Sequence, residues 1–211
     1  MNFLDRFEMK HRRFGIENLM MHISIITGIV YLLEYIGGLN IIQYLYLNSE
    51  LIVKELQLWR LVTFIFVPAD SRLFYVILSL LFYYFIGSAL ESTWGKCRFT
   101  LYYIVCMLGT IAASFILKGN YVGTYINLSL FLAFASLYPN YEVMLFFIIR
   151  VKVKYLAYAD LILTLISFIT GNAVVKLSIV ASLIGLIIFF AGDWYNMIKS
   201  WIRRMKYRNK F

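Results

Sequence analysis

Residues 73–90 read LFYVILSLLFYYFIGSAL, eighteen positions in a row without a charged side chain. As a helix they would extend about 27 Å, close to the roughly 30 Å thickness of a bilayer's hydrocarbon core. Comparable apolar stretches occupy residues 16–36, 99–117, 155–170 and 177–198. With 62% of the 211 residues hydrophobic and only 15% charged, so many long runs exceed what a soluble core could bury. The chain is therefore read as a polytopic membrane protein. Hydrocarbon offers no partner to free backbone groups, so the spans are expected to be helical and the fold all-α.

Taken in order, residues 1–15 are polar, carrying Arg6, Lys10, His11, Arg12 and Arg13, with Phe3, Leu4 and Phe7 spaced along one face. A brief helix lying on the inner membrane surface is expected there. Residues 16–36 are a retained first span, too long for a removed signal and without its small-residue cleavage pattern. Residues 37–72 form the one long connection. Ile41, Tyr44, Leu45, Leu47, Leu51 and Ile52 make it too apolar for a free loop, while Asn48, Glu50, Lys54 and Glu55 interrupt any full span. A large amphipathic loop in the outer interface, between the first two spans, satisfies both facts.

The second span, residues 73–90, leads through a tight inner turn at 91–98 to the third, 99–117. The fourth, residues 124–139, is short. At roughly 24 Å it should sit inside the bundle with its outer end below the surface. Residues 141–154 connect on the inner side, with 146–149 at the membrane surface. The fifth and sixth spans are 155–170 and 177–198, before a basic tail at 199–211.

Six spans with both termini inside place Arg6, Lys10, Arg12, Arg13, Lys96, Arg98, Arg150, Lys152, Lys154, Lys199, Arg203, Arg204, Lys206, Arg208 and Lys210 on the inner side, fifteen of the twenty Lys and Arg residues. Lys54, Arg60, Arg72, Lys118 and Lys176 remain outside. That bias fits the positive-inside rule. The same clustering at span ends accounts for the net charge of +9 without a nucleic-acid partner. Cys97 and Cys106, nine positions apart on one span, support neither a disulfide framework nor a metal site and read as packing residues. No cofactor is implied, and the lipid bilayer is the first partner. The expected location is an integral, multi-pass one, the cell membrane in a prokaryote.

Trp59-Arg60 in the long connection, and Gly87, Leu90, Glu91, Trp94, Gly95, Arg98 and Phe99 closing the second span, give the chain a resemblance to the rhomboid superfamily. Its members share a WR pair in the first outer loop and a G-x-x-L-E-x-x-W/L-G-x-x-R-F pattern. The text LFFIIRVKVKYLAY is similar to the superfamily's fourth-to-fifth connection, with Arg150 in place of its proline. The resemblance implies a rhomboid-like six-helix domain over residues 16–198 in which Trp59 and Arg60 brace the outer loop. Read alone, the pair is an interfacial aromatic and a snorkelling cation.

An active rhomboid pairs a G-x-S-G serine with a sixth-span histidine, and a histidine and an asparagine on the second span help form its oxyanion site. A hydroxyl is a weak nucleophile until a nearby base takes its proton, and donors must meet the developing oxyanion. Aligned on Gly87, the second-span histidine falls on Tyr75 and the asparagine on Ser79. The serine falls on Thr124, between Gly123 and Tyr125. With Ala181 and Gly185 matched to the family's G-x-x-x-G, the catalytic histidine falls on Ser178. All four identities have changed. The only histidines, His11 and His22, lie at or before the inner end of the first span, a helix length from an outward-facing site. One unconventional pairing remains, Lys176 as base toward Thr124, Ser129 or Ser178.

Asn127, Ser129, Ser79 and Thr110 are expected to bond to neighbouring helices, and Glu91, Asp160 and Asp193 to serve structure. Small residues at Gly109, Ala112, Ala113, Ala181 and Gly185 allow close helix contact. Three functions follow. The first is a pseudoprotease that binds transmembrane segments of client proteins, as the derlin and inactive-rhomboid branches do. The second is a rhomboid-family serine-type endopeptidase with a non-standard site. The third, a small transporter, lacks paired halves and broken helices in matching positions.

Overall fold

The structure, a computed structural model, describes residues 14–145 and 149–208. The expected inner-surface helix at residues 1–15 and the surface segment at 146–149 fall largely outside them, as does the side chain of Asp193. Helix α1, Leu19–Tyr31, runs into a π-helical turn, Leu32–Ile36. The long connection carries three short helices, α2 (Ile42–Leu45), α3 (Ser49–Glu55) and α4 (Arg60–Thr63), and a 3-10 turn, Phe64–Phe66. Helix α5 covers Leu73–Ile116 and α6 covers Thr124–Leu137. Strands β1 (Glu142–Leu145) and β2 (Ile149–Lys152) lead into α7 (Val153–Thr170) and α8 (Ala173–Arg208).

Among the described residues, four helical stretches are long and apolar enough to cross a bilayer: Leu19–Ile36, Leu73–Ile116, Val153–Thr170 and Ala173–Phe190. The chain is thus a mostly helical membrane protein. Its large apolar residues face outward on these stretches, as lipid requires, and burial concentrates elsewhere.

Two expectations about boundaries need correction. The inner turn at 91–98 is helical on both sides of one residue, Gly95, with φ 80° and ψ 157°. Only glycine enters that region at low cost. The chain folds back there. The rings of Trp94 and Tyr102 lie 5.4 Å apart, whereas eight residues of straight helix would separate them by about 12 Å. The sixth helix also starts at Ala173 and continues through most of the expected tail to Arg208. Asn172 starts it by accepting a bond from the Val175 N–H (3.0 Å).

A third correction concerns strands. The connection before α7 is an antiparallel hairpin, with Met144 opposite Arg150 and Glu142 opposite Lys152. Ile149, Arg150, Val151 and Lys152 alternate apolar and basic, the period of a half-buried strand. The hairpin pairs its own backbone, so an otherwise helical protein tolerates it.

Helix α6 is the centre of the molecule. Its sequence, TYINLSLFLAFASL, is apolar all round, and residues 128–135 are buried without a break. At 14 residues it spans about 21 Å. Against it pack α5, α7 and α8. Where α5 meets α8 the backbones come very close: a methyl at Gly109 would sit 2.8 Å from the Ala181 carbonyl oxygen, and one at Gly185 would run into the Cys106 sulfur. Gly87 likewise leaves room for Met20 of α1. These contacts use the small residues the sequence singled out, and they rely on dispersion because lipid supplies no hydrophobic drive between helices.

Gly95→Ala and Gly109→Val are each expected to cost about 2 kcal/mol, read as a lowered thermal-unfolding midpoint in detergent. Gly28→Ala, whose methyl would meet Leu80 at an ordinary 3.7 Å, should leave the midpoint unchanged or raised.

Candidate functional site

The segment between α1 and α5 folds around a one-turn helix, α2, whose carbonyls face donors from a single stretch of chain. Arg60, 3% exposed, donates through Nη1 to the carbonyls of Gln43 (3.0 Å) and Tyr46 (2.9 Å). Its Nε reaches Gln57 Oε1 (2.5 Å). Trp59 Nε1 donates to the Tyr44 carbonyl (3.2 Å) and Thr63 Oγ1 to that of Leu45 (3.2 Å). Four successive carbonyls at a helix end, which lack intrahelical partners, are thereby satisfied. At the other end Glu34 accepts from the Ile42 N–H (2.9 Å).

Beyond α2 the chain is fastened to the connection between α5 and α6. Leu47 and Tyr121 exchange backbone hydrogen bonds (3.1 and 2.9 Å), and the Asn48 amide donates to Asn120 Oδ1 (2.8 Å). The Tyr121 hydroxyl donates to the carbonyls of Ala113 and Leu117. Lys118 pairs with Glu50 at 2.9 Å, and that contact holds the Glu50 carboxyl below its usual range. Both partners are exposed, so the pair adds little beside the buried bonds. Gly123 N–H, just before α6, donates to the Phe64 carbonyl (3.2 Å). The loop between α1 and α5 thus fixes where α6 begins.

Under this roof lies a cavity of about 520 Å³ between the first half of α5, α6, the hairpin and α7. Tyr75, Ser79 and Thr124 line it. Three of the four positions matched to rhomboid catalytic groups therefore share one space. The fourth, Ser178, lines a smaller neighbouring cavity that Thr124 also borders. The Arg72 guanidinium stacks 4.0 Å from the centre of the Tyr75 ring and grips Asp70 through Nε (3.0 Å) and Nη2 (2.8 Å). That grip holds the Asp70 carboxyl well below the usual carboxylate range. A lowered value means the pair's contribution is complete above the ordinary carboxylate pKa and fades only in stronger acid.

The serine hydroxyls are spoken for. Ser79 donates to the Val76 carbonyl (2.9 Å) and Ser178 to that of Val174 (2.8 Å), each within its own helix. Ser129 is wholly buried against the Tyr102 hydroxyl, with Cys106 Sγ 3.8 Å away. It thus bonds to a neighbouring helix as expected, whereas Ser79 and Thr110 bond within their own. Thr124 is exposed to the cavity. Lys176 lines neither cavity, and among the described residues no hydrogen bond or ion pair joins it to Thr124, Ser129 or Ser178. His22 Nδ1 bonds to the Asn18 carbonyl (2.9 Å) at the opposite end of the bundle from Thr124. Glu91 Oε1 accepts the Asn18 N–H (2.8 Å), tying the end of the second helix to the start of α1. Trp94 packs on Tyr102, Phe189 and Phe190.

Two lining residues drew no functional reading from the sequence, Tyr83 and Asp160. The available signal for Asp160 was its charge inside an otherwise apolar run. Helix α7, which carries it, buries only Val153 and Ala157 and packs on α6, α8 and β2, leaving the cavity between itself and α5.

The model of the Der1-like family matches residues 16–205, nearly the whole chain. A search of curated proteins finds no match. Arg60→Ala is expected to cost about 3 kcal/mol, since it orphans buried carbonyls, and Arg60→Lys should recover little because an ammonium cannot reproduce the planar fork. Thermal unfolding in detergent checks both.

Proposed function

The chain belongs to the Der1-like family, a branch of the rhomboid superfamily, and from that premise we propose that it is a catalytically inactive rhomboid-like protein that receives transmembrane segments of other membrane proteins in the cavity between α5 and α7. One observation carries the reading. The cavity collects Tyr75, Ser79 and Thr124 where a hydrolase would keep its machinery, and among the described residues no imidazole or ammonium lines it. Without a base, the Thr124 hydroxyl stays a weak nucleophile. A cavity mostly lined by apolar side chains, beside a helix held on few sides, suits a helix better than a reacting amide.

The membrane arrangement belongs to the same proposal. We take α1, the two halves of α5, α6, α7 and α8 as six crossings with both termini inside. The bias of fifteen inner cations against five outer ones supports that orientation. Helix α6, about 9 Å shorter than a typical hydrocarbon core, would thin the bilayer beside the cavity and ease lateral entry of a partner.

Ser79→Trp and Leu156→Trp, which fill the cavity, are expected to lower co-purification of single-span proteins at least about fivefold, while the thermal midpoint stays within a few degrees. A serine-reactive probe should leave the protein unlabelled, and a permissive single-span reporter should remain uncut. Labelling or cleavage that disappears in Thr124→Ala would replace this reading with that of an endopeptidase using a non-standard site.

A further inference from the structure

We infer that Asp160 is the point in the cavity that recognises a basic side chain on an incoming transmembrane helix. The inference rests on the reading of the cavity as a client site and adds the chemistry of the client. Asp160 is the one charged residue of α7 beyond Lys154, seven positions from the Val153 end. That places it about 10 Å along the helix from the hairpin side. Among the described residues its carboxyl makes no hydrogen bond and no ion pair. The nearest basic residue on its own helix, Lys154, lies over the Tyr155 ring instead (5.3 Å).

The other polar side chains of the cavity, on Tyr75, Ser79, Tyr83, Thr124, Tyr125 and Thr164, all carry hydroxyls. Among the described residues no cation lines the space, and Tyr83, which shares the lining with Asp160, brings no positive charge. A carboxyl at this depth is costly unless paired, and no group among the described residues pairs it. A lysine or arginine on a partner helix at the same depth supplies the pairing charge, and is itself relieved of an equal penalty. A lipid ammonium group is the other source of such a cation, but headgroups lie at the surface and Asp160 lies well beneath it.

The test uses the full-length protein in phosphatidylcholine nanodiscs with dye-labelled single-span peptides of leucine and alanine, about 22 residues long. One carries lysine about 10 Å from the hairpin-side surface, one carries it on the opposite half, and one is wholly apolar. The matched-depth peptide is expected to bind about tenfold tighter than the other two. Asp160→Asn and Asp160→Leu should each bind all three peptides alike, at the affinity wild type shows for the apolar one. Equal binding of all three peptides by wild type, or a lysine preference that persists in Asp160→Asn, overturns the inference and leaves the client-site reading intact. Binding of none of them overturns both. The depth comparison on unaltered protein decides the matter even where a variant fails to fold.

Discussion

At the edge of a bilayer, irregular backbone has to find its hydrogen-bond partners within the protein, and the way this chain does so decides the rest of its geometry. The carbonyls of Gln43, Tyr44, Leu45 and Tyr46 would each be left bare at the end of a one-turn helix. Arg60, Trp59 and Thr63 cover all four from a single following turn. An exposed arginine would contribute little by such bonds. One that is 3% exposed contributes more, because removing it strands both its acceptors and the packed stem. The loop this produces is rigid enough to hold Leu47 against Tyr121 and Phe64 against Gly123. In that way the starting point of α6, and with it Thr124, is set by residues some sixty positions earlier.

Below that roof the bundle divides by how its helices are held. On one side the second half of α5 and α8 approach through Gly109, Ala181, Gly185 and Cys106, and the buried Tyr102–Ser129 pair ties α5 to α6. On the other side α7 rests on α6 and α8 along one edge and turns most of its length outward. Small residues permit close backbone approach and therefore many weak contacts, which add up where no hydrophobic drive exists. Where large branched residues face outward, as Ile162, Leu163 and Ile166 do, nothing comparable forms with a neighbouring helix. The cavity lies on the loosely held side for that reason.

Much of this was legible in the residues. Length and apolarity marked the helices. The Trp59-Arg60 pair and the motif ending in Phe99 pointed to the family that the match over residues 16–205 shows. Small residues marked the tight contacts. What escaped was whatever depended on long-range geometry. A span of eight residues between two apolar runs looks like a loop, but one glycine with a positive φ reverses the chain in a single step and leaves its neighbours helical. The hairpin escaped because a basic-apolar alternation of four residues is too short to outweigh the helical text around it. Ser79 and Thr110 turn to their own helix because a carbonyl one turn back is nearer than any partner across a contact. Asp160 read as structural from its place near basic residues. Its isolation appears only when Lys154 is seen to lie over Tyr155.

The size of the cavity limits how a helix could use it. Its lining runs from Tyr75 to Tyr83 on α5 and from Leu156 to Thr164 on α7, about 12 Å along each helix. About two turns of a partner could face that lining, less than half of a crossing of about 30 Å. On the reading proposed above, a client helix would therefore lie along the stripe of α7 that carries Leu156, Asp160 and Leu163, with the turns beside Tyr83 and Asp160 entering. The contact along α7 is apolar and close to what lipid already provides, so it discriminates little between sequences. Selectivity must come from the part that enters, where a polar side chain meets hydroxyls and a carboxyl in place of hydrocarbon. On the proposed reading, a site without a catalytic base still chooses among helices, by the depth and charge of a single residue.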